Sequence, residues 1–369
     1  MMPPKYLPRD QLTPAQIEAL SHARSLARTS QKAAQATIVD ILVRARLDQP
    51  IFNKAVNHIK SQGQVALHFH PDRPNQKGQT VAEALLEEGV YRSQFETKIS
   101  NGGLTAFQGG QRDDWEQRLF GGAYQKPDVT PSERPKYGAL DLMNHADGPA
   151  PRFGSCYFRL SNAVCQRCTF TYQDSVSEPD VFGTIHDLAG IMAATLTDVE
   201  THQACFGAQD LTVTSVLQRL SHIENKPVNY SENFGRALDD YIEAQIHGSI
   251  NLEADVITLV ADPSFQSTKT GQVLSQLCTQ YDIRLDWHAG FQVQASAIPD
   301  DFRGPEIPRL ASRIMGQGQL NTAMVGEAAL SLYQQPDQWR DLGTYAEVLQ
   351  YIKQLWHALV TFGQPFISN

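Results

Sequence analysis

From Gln64 to His70, Val65, Leu67 and Phe69 alternate with Ala66, His68 and His70. A period of two is that of a β-strand, and it puts both histidines on one face. Pro71 ends the run. Upstream, residues 10–60 carry helical spacing instead, with Ile17, Leu20 and Leu26 followed by Ile38, Ile41 and Leu42. Thr13, Pro14 and Gln16 form a helix start: an N-cap, a first-turn proline and a capping-box partner. Thr80 and Glu83 repeat the capping box downstream, which predicts a helix running to about Gly89.

Alternation returns in Gly154–Leu160, where Ser155, Tyr157 and Arg159 oppose Cys156, Phe158 and Leu160. Thr169–Tyr172 reads as a short strand and residues 185–222 as helical. In Tyr241–His247, Tyr241, Glu243, Gln245 and His247 share a face opposite Ile242, Ala244 and Ile246. Asp255–Ala261 is apolar enough for a buried strand. Asp286–Gln294 reads as a strand, IPDDFRGPEIP as a proline-bounded loop and Tyr345–Phe362 as a helix. Between Gly102 and Gly122 lie six of the 25 glycines, which predicts loop around a short helix near Trp115. That stretch holds neither GK[ST] nor GxGxxG, so it is neither a P-loop nor a dinucleotide fingerprint. The pattern divides the chain into an N-terminal helical region (1–60), a central strand-rich domain (61–270) and a mixed C-terminal region (271–369), helical at its end and packed on the centre.

Composition narrows the function classes. At 369 residues with 41% hydrophobic side chains, the chain can bury a large core. Its 40 acidic against 31 basic residues, net −9, make a general nucleic-acid binder unexpected. No apolar run approaches the roughly 20 residues of a membrane helix, so no membrane partner is expected. The first residues, MMPPKYLPRDQ, lack the apolar centre of a signal peptide, which points to a cytoplasmic protein or one delivered into another cell's cytosol as an effector. Five cysteines are too few for a disulfide framework. Cys165 and Cys168 have CxxC spacing, but one such pair cannot close a tetrahedral zinc site.

Three constellations carry candidate chemistry. The face Tyr241, Glu243, Gln245, His247 lines a cleft if it is covered, and is an ordinary solvent-facing side if it is not. His68, His70 and Asp72 form an HxHxD arrangement with the donor types of a metal site, with His145, His186, His247 and His288 as further donors. Arg73, Arg134, Lys136 and Arg152 sit near strand starts or glycine loops, where cations either hold phosphates or are solvated surface charge.

The blocks LHFHPDR, FETKISNGGLTAF, RLFGGAY, RPKYGALDL, PRFGSCYFRL, FTYQDS, YIEAQIHG, DVITLVADPSF and PDDFRGPEIP occur in this order. In them the sequence resembles a mostly bacterial domain-of-unknown-function family that is grouped with the ADP-ribosyltransferase-like fold. The resemblance spans roughly residues 60–325. It implies an α+β protein with a split, mostly antiparallel sheet forming an NAD cleft, and helices at both ends. It also implies a mono-ADP-ribosyltransferase, which uses NAD as substrate, releases nicotinamide and modifies a protein acceptor; proteins of this fold include toxins and delivered effectors.

Carried over by position, the first-strand residue that holds the dinucleotide is His68, His70 or Arg73. The middle-strand serine is Ser155, with Ser100 as its competitor. The catalytic glutamate is Glu243, with Gln245 beside it. Tyr137, Tyr157 and Phe107 are aromatic candidates for stacking on nicotinamide. Arginine-directed members carry a second Glu or Gln where this chain has Tyr241, which leaves the acceptor residue open. The residues alone also allow a metal-dependent hydrolase built on His68, His70 and Asp72, or a non-catalytic nucleotide-binding scaffold.

Overall fold

A computed structural model describes residues 12–75, 77–98, 105–223, 234–316 and 318–366. Three helices open the described chain: Pro14–Thr29, Gln31–Ala45 and Gln49–Gln62. The first is started by Thr13 and Gln16 through the capping box that the sequence predicts. The box at Thr80 and Glu83 likewise starts the helix Val81–Glu88, and Gly89 in the left-handed region ends it.

Eight strands form one mostly antiparallel sheet: β1 (Gln64–Phe69), β2 (Lys136–Asp141), β3 (Cys156–Leu160), β4 (Cys168–Tyr172), β5 (Phe182–Thr184), β6 (Ile242–Ile246), β7 (Val256–Ala261) and β8 (Arg284–Trp287). Their order is β8-β7-β3-β1-β2-β6-β4-β5, and only β7 and β8 are parallel. The protein is therefore α+β with an open, mostly antiparallel sheet and several helices.

The sheet is hydrogen-bonded throughout, but its centre is only half zipped. β1 pairs with β2 through Gln64–Asp141, Val65–Leu140 and Ala66–Ala139 alone. Beyond that point β1 continues with β3, through His68–Tyr157 and Phe69–Cys156, while β2 continues with β6, through Lys136–Ile246 and Tyr137–Gln245. Gly138 stands where the two part: a Cβ there would meet the Ala66 carbonyl oxygen at 2.5 Å, so the backbones come this close only at glycine. This opening between the strand ends is what positions the cleft.

Two large apolar clusters hold the molecule. The main one joins Ile38, Ile41 and Ile59 of the N-terminal helices to Leu67, Phe158, Phe170, Ile242 and Leu259 of the sheet and to Leu196 and Leu217. The second, from Phe291 to Val360, is built by the helices Glu306–Met315, Thr322–Gln334 and Tyr345–Phe362.

Three expected elements differ in detail. Residues 185–222 hold two helices, Ala189–His202 and Val213–Leu220, separated by a segment in which Gln203, Phe206 and Asp210 have positive φ. The strand expected over 286–294 breaks after Trp287, because Gly290 turns the chain at φ +70; Gln292–Val293 then pairs with Leu320–Asn321 instead. The proline-bounded loop ends at Pro305, and a helix begins at Glu306 with Pro308 in its first turn, where no intrahelical N–H is needed. All five cysteines are buried and free. The Cys165 and Cys168 thiols lie beside the carbonyls of Gly63 (3.4 Å) and Val164 (3.3 Å).

Candidate functional site

A cleft of about 570 Å³ opens where β1 and β2 separate. His68, Phe69 and His70 line one side, Tyr137 and Gly138 another, and Tyr241 and Glu243 of β6 a third. Arg73, Arg112, Trp115, Arg152, Phe153, Asp174 and Lys353 complete the wall that concerns its chemistry.

Glu243 owes its position to alternation. Ile242, Ala244 and Ile246 enter the main core, which turns Tyr241, Glu243, Gln245 and His247 to the opposite face. All four are buried: β2 and β4 flank β6, Phe120 and Tyr124 pack on His247, and Phe153 packs on Tyr241. Glu243, Gln245 and His247 find hydrogen-bond partners inside the molecule, the Tyr241 hydroxyl has none, and the face is no solvent-facing side. Gln245 Nε2 donates to Glu243 Oε1 at 2.9 Å and to Thr171 Oγ1 at 3.1 Å, and Thr169 Oγ1 donates to Gln245 Oε1 at 2.7 Å. Ser175 approaches Glu243 Oε2 with its N–H (3.4 Å) and its hydroxyl (3.3 Å). At the far end, Tyr124 and His247 Nδ1 share a 2.5 Å hydrogen bond. Burial pushes the Glu243 carboxyl up to about 7; the charge of Asp174 adds to the rise, while Gln245, Arg112 and Ser175 oppose it.

A second buried network supports the Tyr137 wall. Tyr137 donates to Glu116 Oε1 at 2.9 Å, and Arg134 binds Glu116 at 2.7 Å and Asp113 at 2.6 Å. Burial raises the Glu116 carboxyl to about 7 although Arg134 pulls it down. The Arg112 guanidinium lies 4.7 Å from the Tyr137 ring centroid and 5.2 Å from that of Trp115.

Of the residues singled out in the sequence, Glu243, His68, His70, Arg73 and Tyr137 line the cleft together. Gln245 and Ser155 do not. Gln245 stands behind Glu243 as its hydrogen-bond partner, and Ser155 stands behind His70, Oγ 3.5 Å from Nδ1. Gln245 shares the face of Glu243 but lies two residues further along β6, where Thr169 and Thr171 of β4 take its amide. Ser100 lies outside the described residues. Tyr157 is stacked on the His68 ring at 4.9 Å, and Phe107 is half exposed.

The HxHxD residues do not converge. His68 spends both ring nitrogens on backbone, with Nδ1 against the Gly154 carbonyl (3.2 Å) and Nε2 accepting from the Ala150 N–H (3.3 Å). That fixes the neutral tautomer protonated at Nδ1, and burial lowers the ring's pKa to about 3. His70 presents an edge to Trp356 (5.2 Å between centroids). Asp72 points away against Gly326, where a Cβ would fall on its carboxylate. Among the described residues no three His, Cys, Asp or Glu side chains gather at metal-holding range. His145 and His288 are also bound to backbone, at Phe206 and at Ser155 and Gly290.

Of the four cations, Arg134 is consumed by its ion pairs. Lys136 lines the cleft with Nζ donating to the Ser132 carbonyl at 3.0 Å, and burial lowers its pKa to about 8. Arg152 lines it beside Asp174 and Asp239, and Arg73 lines it with no carboxylate in ion-pair range among the described residues. Sequence reasoning missed Arg112, Asp174 and Lys353. Asp174 had a signal, since it lies two residues beyond the end of a strand and caps the turn after it. Arg112 and Lys353 come from helices far apart in the chain and left none.

The chain belongs to the family described as protein of unknown function (DUF3626), which matches residues 64–362. No curated protein matches the sequence.

Proposed function

We propose that this protein is a mono-ADP-ribosyltransferase that moves ADP-ribose from NAD to a protein acceptor, with Glu243 as the catalytic residue. The observation that carries this reading is a single buried carboxylate, held by Gln245 and Ser175, facing a cleft at a partly opened sheet centre. In the reaction the bond between C1′ of the ribose and the nicotinamide nitrogen breaks, and its electron pair leaves with neutral nicotinamide. Positive charge grows on C1′, as in glycoside cleavage. Ionised Glu243 stabilises that charge and orients the 2′-hydroxyl. The acceptor nucleophile then bonds to C1′ and loses its proton. Arg73 supplies an uncommitted cation for the diphosphate. Tyr137, with its hydroxyl tied to Glu116, offers a fixed aromatic wall for the nicotinamide.

The test is mass-spectrometric. Wild type and Glu243→Gln are each incubated with NAD and a cell lysate, and free nicotinamide and new ADP-ribose mass on protein are scored. Wild type is expected to give both, and the variant about 100-fold less or lower. Equal NAD cleavage by the two proteins overturns the assignment of Glu243. Absence of cleavage by wild type overturns the activity.

A further inference from the structure

The end of the cleft around Glu243 carries more positive charge than its own carboxylates use. Arg112, Arg152 and Lys353 line it, and Arg303 stands close behind Lys353. They come from four separate places: the helix Gln111–Phe120, the turn before β3, the helix Tyr345–Phe362 and the loop before Glu306. The carboxylates in reach are Asp174 and Asp239, which share Arg152, Glu116, which lies near Arg112 but is already paired with Arg134, and Glu243, which burial drives towards its neutral form. Arg303 takes a second place on Asp239, at 3.5 Å.

Two buried donors remain unused. Arg112 Nε and Arg152 Nε have no hydrogen-bond partner. Arg112 lies against two aromatic rings and Lys353 has no carboxylate in ion-pair range among the described residues. Leaving buried charged donors without acceptors is costly, and gathering like charges raises the cost. Such an arrangement persists where an anion completes it, as guanidinium groups do around phosphate. Arg73 is separate from this group: its charged neighbours are Asp72 and His70, with Tyr345 close by.

We propose that Arg112, Arg152 and Lys353 form a second anion subsite, which takes a phosphate group carried by the acceptor. This deepens the transferase reading and rests on it: the group leaving NAD meets its acceptor beside Glu243, and the three cations surround that place. The acceptor is accordingly a phosphorylated segment of protein.

Sulfate tests the subsite without any turnover, because it stays a dianion across the pH range used. Calorimetric titration of sulfate into the full chain at low ionic strength is expected to give saturable binding with a Kd of about 1 mM or tighter. Lys353→Met and Arg112→Gln are each expected to weaken it about tenfold or more, whereas Arg73→Gln leaves it in place. Glu243→Gln is expected to tighten it at pH 8, where the wild-type carboxylate is ionised, and to leave it unchanged at pH 5.5, while lowering NAD cleavage about 100-fold or more. Thermal melts confirm that each variant is folded. NAD is expected to bind alongside sulfate. No saturable sulfate binding, equal loss in Arg73→Gln, or displacement of sulfate by NAD overturns the proposal, the last because it assigns the cations to the dinucleotide. Sulfate binding without NAD cleavage leaves the subsite standing and removes the transferase reading; cleavage without sulfate binding does the reverse.

Discussion

Gln245 Nε2 donates to Glu243 Oε1 at 2.9 Å between two residues on the same face of one strand. The bond favours the ionised carboxylate, and Thr169 and Thr171 of the neighbouring strand hold the amide in turn. In the proposed reaction Gln245 is therefore a positioning residue. Gln245→Leu removes three hydrogen bonds and leaves Glu243 with the weaker Ser175 contacts. NAD cleavage is expected to fall about tenfold and the midpoint of its pH profile to move upward. A purely structural role for Gln245 would lower stability and leave that midpoint where it was.

The protonation of Glu243 sets two opposite pH trends. Its carboxyl is raised from 4.5 to about 7, so the native state holds the proton more tightly than the unfolded chain. The associated stability is full below about pH 4.5 and is lost as pH rises through about 7. The proposed NAD cleavage, which uses the carboxylate, is expected to rise over the same upper range, between pH 6 and 8. Glu243→Gln removes the titration. Its Tm, relative to wild type, is expected to be higher at pH 8 than at pH 5 by about 2–4 °C. Differential scanning calorimetry at the two pH values checks this.

Arg134 was among the phosphate candidates in the sequence, and the structure gives it Asp113 and Glu116 instead. Arg134→Met leaves two buried carboxylates without their cation. A loss of about 3–5 kcal/mol is expected in urea denaturation. Unchanged stability together with weaker NAD binding would return Arg134 to ligand contact.

Gly148 has φ +76, and a Cβ there would come within 2.6 Å of the His68 ring. Gly148→Ala must move that ring, and with it the bonds to Ala150 and Gly154. A destabilisation of about 2–4 kcal/mol is expected, again by urea denaturation. If His68 is free to turn without loss, only the strain of an alanine at φ +76 remains, and the destabilisation stays at about 1 kcal/mol.

The element pattern was legible wherever one periodicity ran unbroken. The strand Gln64–Phe69 and the helix Tyr345–Phe362 follow their spacing, and the two capping boxes start helices where expected. The polar face of β6 was legible as a face, but its burial was not. Burial there depends on the order of strands, which brings Thr169 and Thr171 beside Gln245. The same limit hid Arg112 and Lys353. Each belongs to a helix whose other residues explain it as ordinary surface, and only the packing of distant segments brings the two to one cleft. The scatter of His68, His70 and Asp72 was hidden for a related reason: alternation says which side a residue takes, and says nothing of how far apart the side chains end.

The C-terminal helix Tyr345–Phe362 closes the cleft, with Lys353 on its wall, Trp356 against His70, and Trp356 Nε1 donating to the Pro151 carbonyl at 2.8 Å. Glu243 leaves the ribosome 110 residues ahead of Lys353. At ordinary rates of synthesis that is a delay of roughly 5–20 s. During that interval the carboxylate is present while the nascent chain still lacks the wall that completes the site. The order of translation thus leaves the cleft without a wall until the helix Tyr345–Phe362 has been made.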